Sequence, residues 1–167
     1  MEPAAFDLAL SATAFHWIDP AVGYPKAARA LRHEGALALC WNKHVHSDSG
    51  AAFFAAAQEV YRRAAPAIAN EDRQPIPRAE EVADPARAEI EASGCFSPVT
   101  VCRYPWELTY AAESYIRLLN TYSDHIRLER DIRRRLFDGL AELINQKFAG
   151  QITKGYLTIL YLARRPA

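Results

Sequence analysis

The chain has 167 residues, half of them apolar, and its 20 basic residues balance 20 acidic ones. That length fits one domain with its own core. The charge balance leaves no basic face to neutralise phosphates or anionic lipid, so nucleic-acid and membrane-surface partners are not expected.

Phe6 to Ala12 is apolar at nearly every position and reads as a strand covered on both faces, as in a parallel sheet. Asp19-Pro20 offers a helix cap followed by proline, but Pro25 inside the segment predicts a short turn, with the regular helix starting near Tyr24 or Pro25 and stopping at Gly35. Ala36 to Asn42 is a second strand of buried type. Strand, helix and strand with tight connections make a right-handed crossover between parallel strands.

A polar loop is predicted over Lys43 to Ser47, then a helix capped by Asp48 or Ser49 and running to about Ala65. Residues 70–78, with Pro75 and Pro77, read as an extended loop. Asp84-Pro85 opens a helix that stops at Gly94, and Val99 to Tyr104 is a strand. Glu113 to Asn120 is a helix, and Ser123 is expected to cap a longer one from Asp124 to about Phe148. Its stripe of Ile132, Leu136, Leu140, Leu143 and Ile144 has the three-and-four spacing of a buried face. Tyr156 to Ala163 is a terminal strand, expected to pair antiparallel with the strand before it. The prediction is a single α/β domain over residues 1–167, with about four strands and with residues 43–96 and 111–150 mainly helical.

Several segments resemble a known family. Phe6 to Pro20, with its Phe15-His16-Trp17 loop, resembles the fourth strand and following loop of class I S-adenosylmethionine-dependent methyltransferases, in the type-11 small-molecule group that includes trans-aconitate methyltransferase-like proteins. Ala27 to Leu39 resembles that family's next helix and fifth strand, with His33-Glu34-Gly35 where Pro-Gly-Gly is usual. Thr121-Tyr122-Ser123-Asp124-His125 is similar to a Thr-Tyr-Ser-x-His stretch in the region that covers the substrate, and Thr158 to Arg165 to the terminal strand.

The resemblance implies the C-terminal half of an incomplete doubly wound, Rossmann-like methyltransferase sheet, with the N-terminal strands missing and the helical segments acting as substrate-cap-like insertions. It implies S-adenosylmethionine as cofactor and a small molecule as methyl acceptor. Ser11, Ala12, Thr13 and Ala14 would line the methionine and methyl end of the cofactor, with Phe15, His16 and Trp17 flanking the methyl donor or the substrate. Trp41 and Asn42 end the next strand on the same edge and are candidate substrate residues, an indole for contact area and an amide for a donor and an acceptor. Tyr110 and Tyr122 complete that set. His16 and His125 are the candidate catalytic residues, His125 as a general base or as a cation for an acidic substrate.

The family's cofactor loop carries closely spaced glycines. The seven glycines here, Gly23, Gly35, Gly50, Gly94, Gly139, Gly150 and Gly155, include no pair separated by a single residue. The expectation is a truncated enzyme, inactive or weakly binding cofactor as this chain alone. Its alternative is a non-catalytic ligand-binding or dimerisation module derived from a methyltransferase. Without the family's preceding strand, the apolar edge of Phe6 to Ala12 is open, and the chain is expected either to form a homodimer through it or to bury it with its helices rearranged.

Further features carry less chemistry. His44 and His46 could face one ion, but nothing nearby completes a metal set, so a solvated loop is the reading there. The arginines between Arg127 and Arg135 alternate with Glu129 and Asp131 as an exposed salt-bridged face. Cys40, Cys95 and Cys102 lack metal-type spacing and read as buried reduced thiols. Met1 to Ala5 shows no secretory pattern and no apolar run is long enough for a bilayer, so the expected compartment is the cytoplasm.

Overall fold

The structure is a computed structural model and describes residues 4–69 and 76–166. Part of the 70–78 stretch read as an extended loop lies outside the described residues. Four strands form one sheet in the order β1-β2-β4-β3, with β1 at Phe6–Ala12, β2 at Leu31–Val45, β3 at Thr100–Ala111 and β4 at Gln151–Arg164. β1 and β2 run parallel, with Leu8 opposite Ala36 and Ala12 opposite Cys40. β4 runs against both of its neighbours. Gly35 faces Arg165 and, further along, Val45 lies beside Gly155. Across the other seam Trp106 reaches Thr158, and Thr109 reaches Thr153. The sheet is therefore mixed, and the expected antiparallel pairing of the last two strands is observed.

The chain divides into two compact units. The first comprises Met1–Lys43, Glu80–Trp106 and Leu157–Ala167. It holds β1, helix α1 (Pro20–Ala30) and helix α3 (Pro85–Ala92). Its core is built from Tyr24, Leu31, Leu37, Leu39, Ile90, Leu157 and Ile159, all fully buried. The Asp19 carboxylate accepts from the Ala21 amide at 2.9 Å and caps α1. The helix then continues through Pro25 without the initial turn predicted, a correction. It ends at Ala30 rather than at Gly35, because Leu31 already pairs with Phe6. The His33-Glu34-Gly35 turn sits inside β2, with Glu34 at a φ of 62°. Gly94 does end the α3 segment, at a φ of 64°.

The second unit comprises His44–Ala79 and Glu107–Tyr156. Helices α2 (Asp48–Ala64), α4 (Ala112–Leu119), α5 (Ser123–Ile126) and α6 (Arg130–Lys147) pack here. Leu136, Leu140 and Ile144 of α6 are fully buried against Phe53, Ala57, Tyr115 and Leu119, as their spacing predicts. Gly139 lets α6 approach α2: a Cβ there would lie 2.9 Å from Val60 Cγ1.

Two expectations are corrected in this unit. The helix predicted from Asp124 to Phe148 is broken between α5 and α6, where Leu128 turns in to pack on the core cluster. Ser123 is the first residue of α5 and caps nothing. The polar loop predicted at Lys43 is instead strand as far as Val45.

The largest departure concerns the faces of β1. Its residues are apolar enough for a strand covered on both faces, yet Leu8 is 52% and Leu10 66% exposed. Its open edge is as expected: among the described residues only β2 pairs with it. Cys40, Cys95 and Cys102 are half-buried and unlinked. Among the described residues no helix is long and apolar enough to cross a membrane, and no cluster of three His, Cys, Asp or Glu residues could hold a metal ion.

Candidate functional site

The first unit has a cavity of about 250 Å³ where β1 and β2 end. Open α/β sheets take ligands at the carboxyl ends of parallel strands, because the loops there diverge and leave a crevice. Thr13, Phe15 and His16 enter it from the turn after β1, and Trp41, Asn42 and Lys43 from the end of β2.

Thr13 leaves β1 with φ at 50°, a left-handed conformation that disfavours a β-branched residue. Its amide donates to Cys40 O at 2.8 Å, which holds the turn in that shape. Phe15–Trp17 then forms one turn of 3₁₀ helix. This turn buries Phe15 against the Tyr24 ring, centroids 4.9 Å apart, and leaves Trp17 83% exposed.

The polar groups at this cavity are oriented by neighbours. Trp41 Nε1 donates to His16 Nδ1 at 3.2 Å. An indole N–H can only donate, so the neutral His16 ring carries its proton on Nε2 and can donate from there. Thr158 donates to Asn42 Oδ1 at 2.6 Å and itself accepts from Trp106 Nε1 at 2.9 Å, which fixes the Asn42 amide. The Tyr24 hydroxyl lies 3.3 Å from Glu89 Oε2. Burial, together with the Glu89 charge and this hydrogen bond, pushes Tyr24 up to about 12. Tyr161 is likewise pushed up to about 12 by burial and by Asp84, to which it donates at 3.3 Å. Both phenols stay protonated at neutral pH and donate to these carboxylates.

The second unit has its own cavity, of about 300 Å³. His125, 5% exposed, lies at its wall. Its Nδ1 is 2.7 Å from Asp124 Oδ1, and its Nε2 is 2.8 Å from the Tyr61 hydroxyl. A carboxylate accepts, so Nδ1 donates to Asp124 and Nε2 accepts from Tyr61. The three form a hydrogen-bonded chain at the cavity wall.

Lys154 of β4 enters the same cavity and is only 4% exposed. It donates to the Tyr122 hydroxyl at 3.0 Å and lies 5.2 Å from the centre of the Tyr122 ring. Burial lowers its ammonium to about 8. His44, from the end of β2, lies against Phe54 with the rings tilted by 55° and their centroids 4.7 Å apart. Burial, and secondarily the Lys154 charge, lowers His44 to about 3, so it is neutral. The loop reading of His44 is thereby corrected: it is a half-buried strand residue whose Nε2 is shielded from solvent and has no hydrogen-bond partner among the described residues.

Of the residues singled out in the sequence, Thr13, Phe15, His16, Trp41 and Asn42 line the first cavity. Ser11, Ala12 and Ala14 lie in or beside β1 and the turn without lining it, and Trp17 points elsewhere. Tyr122 and His125 line the second cavity. Tyr110 lies in the second unit, where its hydroxyl is 2.8 Å from that of Tyr156. The two histidines picked as catalytic therefore belong to different units. Sequence reasoning did not single out Tyr24, Glu89, Tyr161, Tyr61 or Lys154, nor the isolated role of His44. Lys154 had one legible signal, a charged residue two places from Ile152 in a strand where alternate positions are buried.

No family model matches the chain. Proteins named as uncharacterised methyltransferases from Mycobacterium tuberculosis (strain H37Rv) and Mycobacterium bovis (strain AF2122/97) are each 45% identical to it over 42 residues. That stretch is 25% of this chain and only 17% of each relative's length. A solved structure described as a type II methyltransferase, from Anaeromyxobacter dehalogenans, superposes on all of the chain with a TM-score of 0.55. The match covers 68% of that protein at 17% identity. At that identity the likeness concerns architecture alone: the chain has the Rossmann-like α/β fold of methyltransferases, with a four-stranded mixed sheet and helices around it.

Proposed function

We propose that this chain carries part of the site of an S-adenosylmethionine-dependent methyltransferase acting on a small molecule. In this reading it corresponds to the C-terminal half of a type-11 enzyme. The observation that carries the proposal is the first cavity, which gathers Thr13, His16, Trp41 and Asn42 at the carboxyl ends of the parallel pair. The strained Thr13 turn supports it, since such conformations cluster at ligand sites. So does the short but high-identity likeness to proteins named methyltransferases.

The aromatic and acidic residues of the lining suit a cationic ligand, although Lys43 reaches the same cavity. The rings of Phe15, Tyr24, Trp41 and Tyr161 attract a positive centre, and Glu89 supplies a counter-charge. When bound, the cofactor supplies an electrophilic methyl group on a sulfonium. The side chains here orient the two reactants and exclude water, which is much of what such a transfer requires. Nε2–H of His16 and the Asn42 amide are the groups placed to orient an acceptor.

The cavity falls just below the range of about 300–1,000 Å³ usual for pockets that enclose a drug-sized ligand. The chain also contains no closely spaced glycine pair. On its own it therefore holds one end of the cofactor, weakly and without turnover. Titration with S-adenosylhomocysteine, followed by backbone amide NMR shifts, is the test. Dissociation in the range of about 1 mM, with shifts centred on Thr13 to Trp17 and lost in Trp41→Ala, is the expected result. Shifts absent from that turn at saturating ligand would overturn the assignment.

A second reading has its own observation. Phe6, Leu8 and Leu10 lie exposed on a sheet edge that carries no proline or lysine. Such an edge pairs readily, and two copies of the same strand meet antiparallel about a two-fold axis. In this reading the chain forms a homodimer through β1.

A further inference from the structure

We infer that the cavity of the second unit is a binding site for a small organic carboxylate, with Lys154 and His44 as the groups that read the anion. The inference is independent of methyl transfer, and no residue of the first cavity enters it.

Three observations converge. The first is the cavity itself, about 300 Å³ and walled largely by apolar and aromatic side chains, among them Phe54, Tyr115 and Leu119. The second is a buried cation without a counter-ion. Lys154 has no carboxylate partner among the described residues, and its one hydrogen bond goes to a phenol. An ammonium has three donors, so two remain for a ligand. A buried charge is expensive unless paired, which means that an anion entering the cavity recovers interaction the protein has left unmade.

The third observation is the His44 imidazole. Its Nε2 is shielded from solvent and unpartnered, an arrangement that native interiors rarely tolerate without a ligand or ion. With the proton on Nε2, the neutral ring donates to an oxygen beside the ammonium. Lys154 and His44 line the same cavity, and the Lys154 charge adds to burial in lowering His44.

The number of donors selects the ligand class. One charge from Lys154 and one neutral donor from His44 match the two oxygens of a single carboxylate. A phosphate dianion calls for more donors and for the forked arginine or backbone cradle that the described residues of the lining do not supply. The aromatic walls add the demand for an apolar body behind the carboxylate. The Asp124–His125–Tyr61 chain lies at the same cavity, where the Asp124 carboxylate accepts from the His125 amide at 2.8 Å and lies 2.7 Å from its Nδ1.

The probes are benzoate and hexanoate, with benzamide as a neutral shape control, titrated calorimetrically into the whole chain without cofactor. Both carboxylates are expected to bind, and benzamide at least about tenfold more weakly. Lys154→Met is expected to lose about tenfold or more in carboxylate affinity while melting no lower than the parent. His44→Leu is expected to weaken the carboxylates by a smaller factor. Amide NMR shifts locate the binding at Lys154, Tyr122 and His44. Equal affinity for benzoate and benzamide would overturn the inference, as would undiminished benzoate binding by Lys154→Met. No binding of either carboxylate up to about 10 mM would do the same.

Discussion

Replacing Lys154 by methionine asks whether its buried ammonium serves stability or a ligand. Burial lowers the ammonium from an ordinary 10.5 to about 8, a gap of roughly 2.5 units (10.5 − 8). At about 1.36 kcal/mol per unit, holding the charged form inside the fold costs about 3 kcal/mol at neutral pH. Methionine has a similar unbranched stem and no charge, so it fills the space with little strain. The variant loses the hydrogen bond to Tyr122, worth about 1 kcal/mol. The balance predicts a Lys154→Met protein about 2 kcal/mol more stable than its parent at pH 7.

The pH dependence carries a sign. The folded pKa lies below the unfolded one, so the penalty is fully present below about pH 8 and fades as pH rises towards 10.5. The advantage of Lys154→Met should therefore shrink to zero or reverse across that window. Urea unfolding followed by tryptophan fluorescence at pH 7 and near pH 10.5 measures it. Parent and variant share the same tyrosine ionisations, which cancel in the difference. A variant less stable than the parent at both pH values would refute the reasoning, because the ammonium would then be stabilising without any anion.

His44 should make the parent acid-sensitive. Its folded pKa of about 3 lies below its ordinary 6.5, so the stability linked to its neutral form is present above pH 6.5 and lost as pH falls towards 3. Between pH 7 and pH 4 the parent should lose about 3 kcal/mol more than His44→Leu in urea unfolding, and parallel curves would show that the ring is not held neutral. For the β1 edge, light scattering of the parent should show a concentration-dependent dimer that Leu8→Lys with Leu10→Lys abolishes. A monomeric parent at about 100 μM would remove the strand-pairing reading.

How much of this was legible beforehand differs from element to element. β1, the Asp19 cap, the crossover to β2 and the apolar stripe of α6 follow from period and capping chemistry that act within a few residues. The turn after β1 was legible too: Thr13, Phe15 and His16 were singled out, and they do meet Trp41 and Asn42 at one cavity. The break between α5 and α6 was not, because Leu128 turns in to reach a core assembled from other helices. The full length of β2 was missed because Lys43 and His44 are polar, while strand pairing depends on backbone groups and a neighbour.

The sequence by itself determined the alternation of strands and helices, the parallel first pair and the residues at its carboxyl end, because each rests on spacing along the chain. Only the tertiary structure decided what each surface faces. β1 has the composition of a strand covered on both faces, yet Leu8 and Leu10 are exposed, since what covers a sheet face is set by elements elsewhere in the chain. Lys154 drew no attention in the sequence and His44 read as a loop histidine, yet Lys154 is buried, His44 half-buried, and both line one cavity. Burial of a charge depends on elements distant in sequence that close over it, and no local pattern records them.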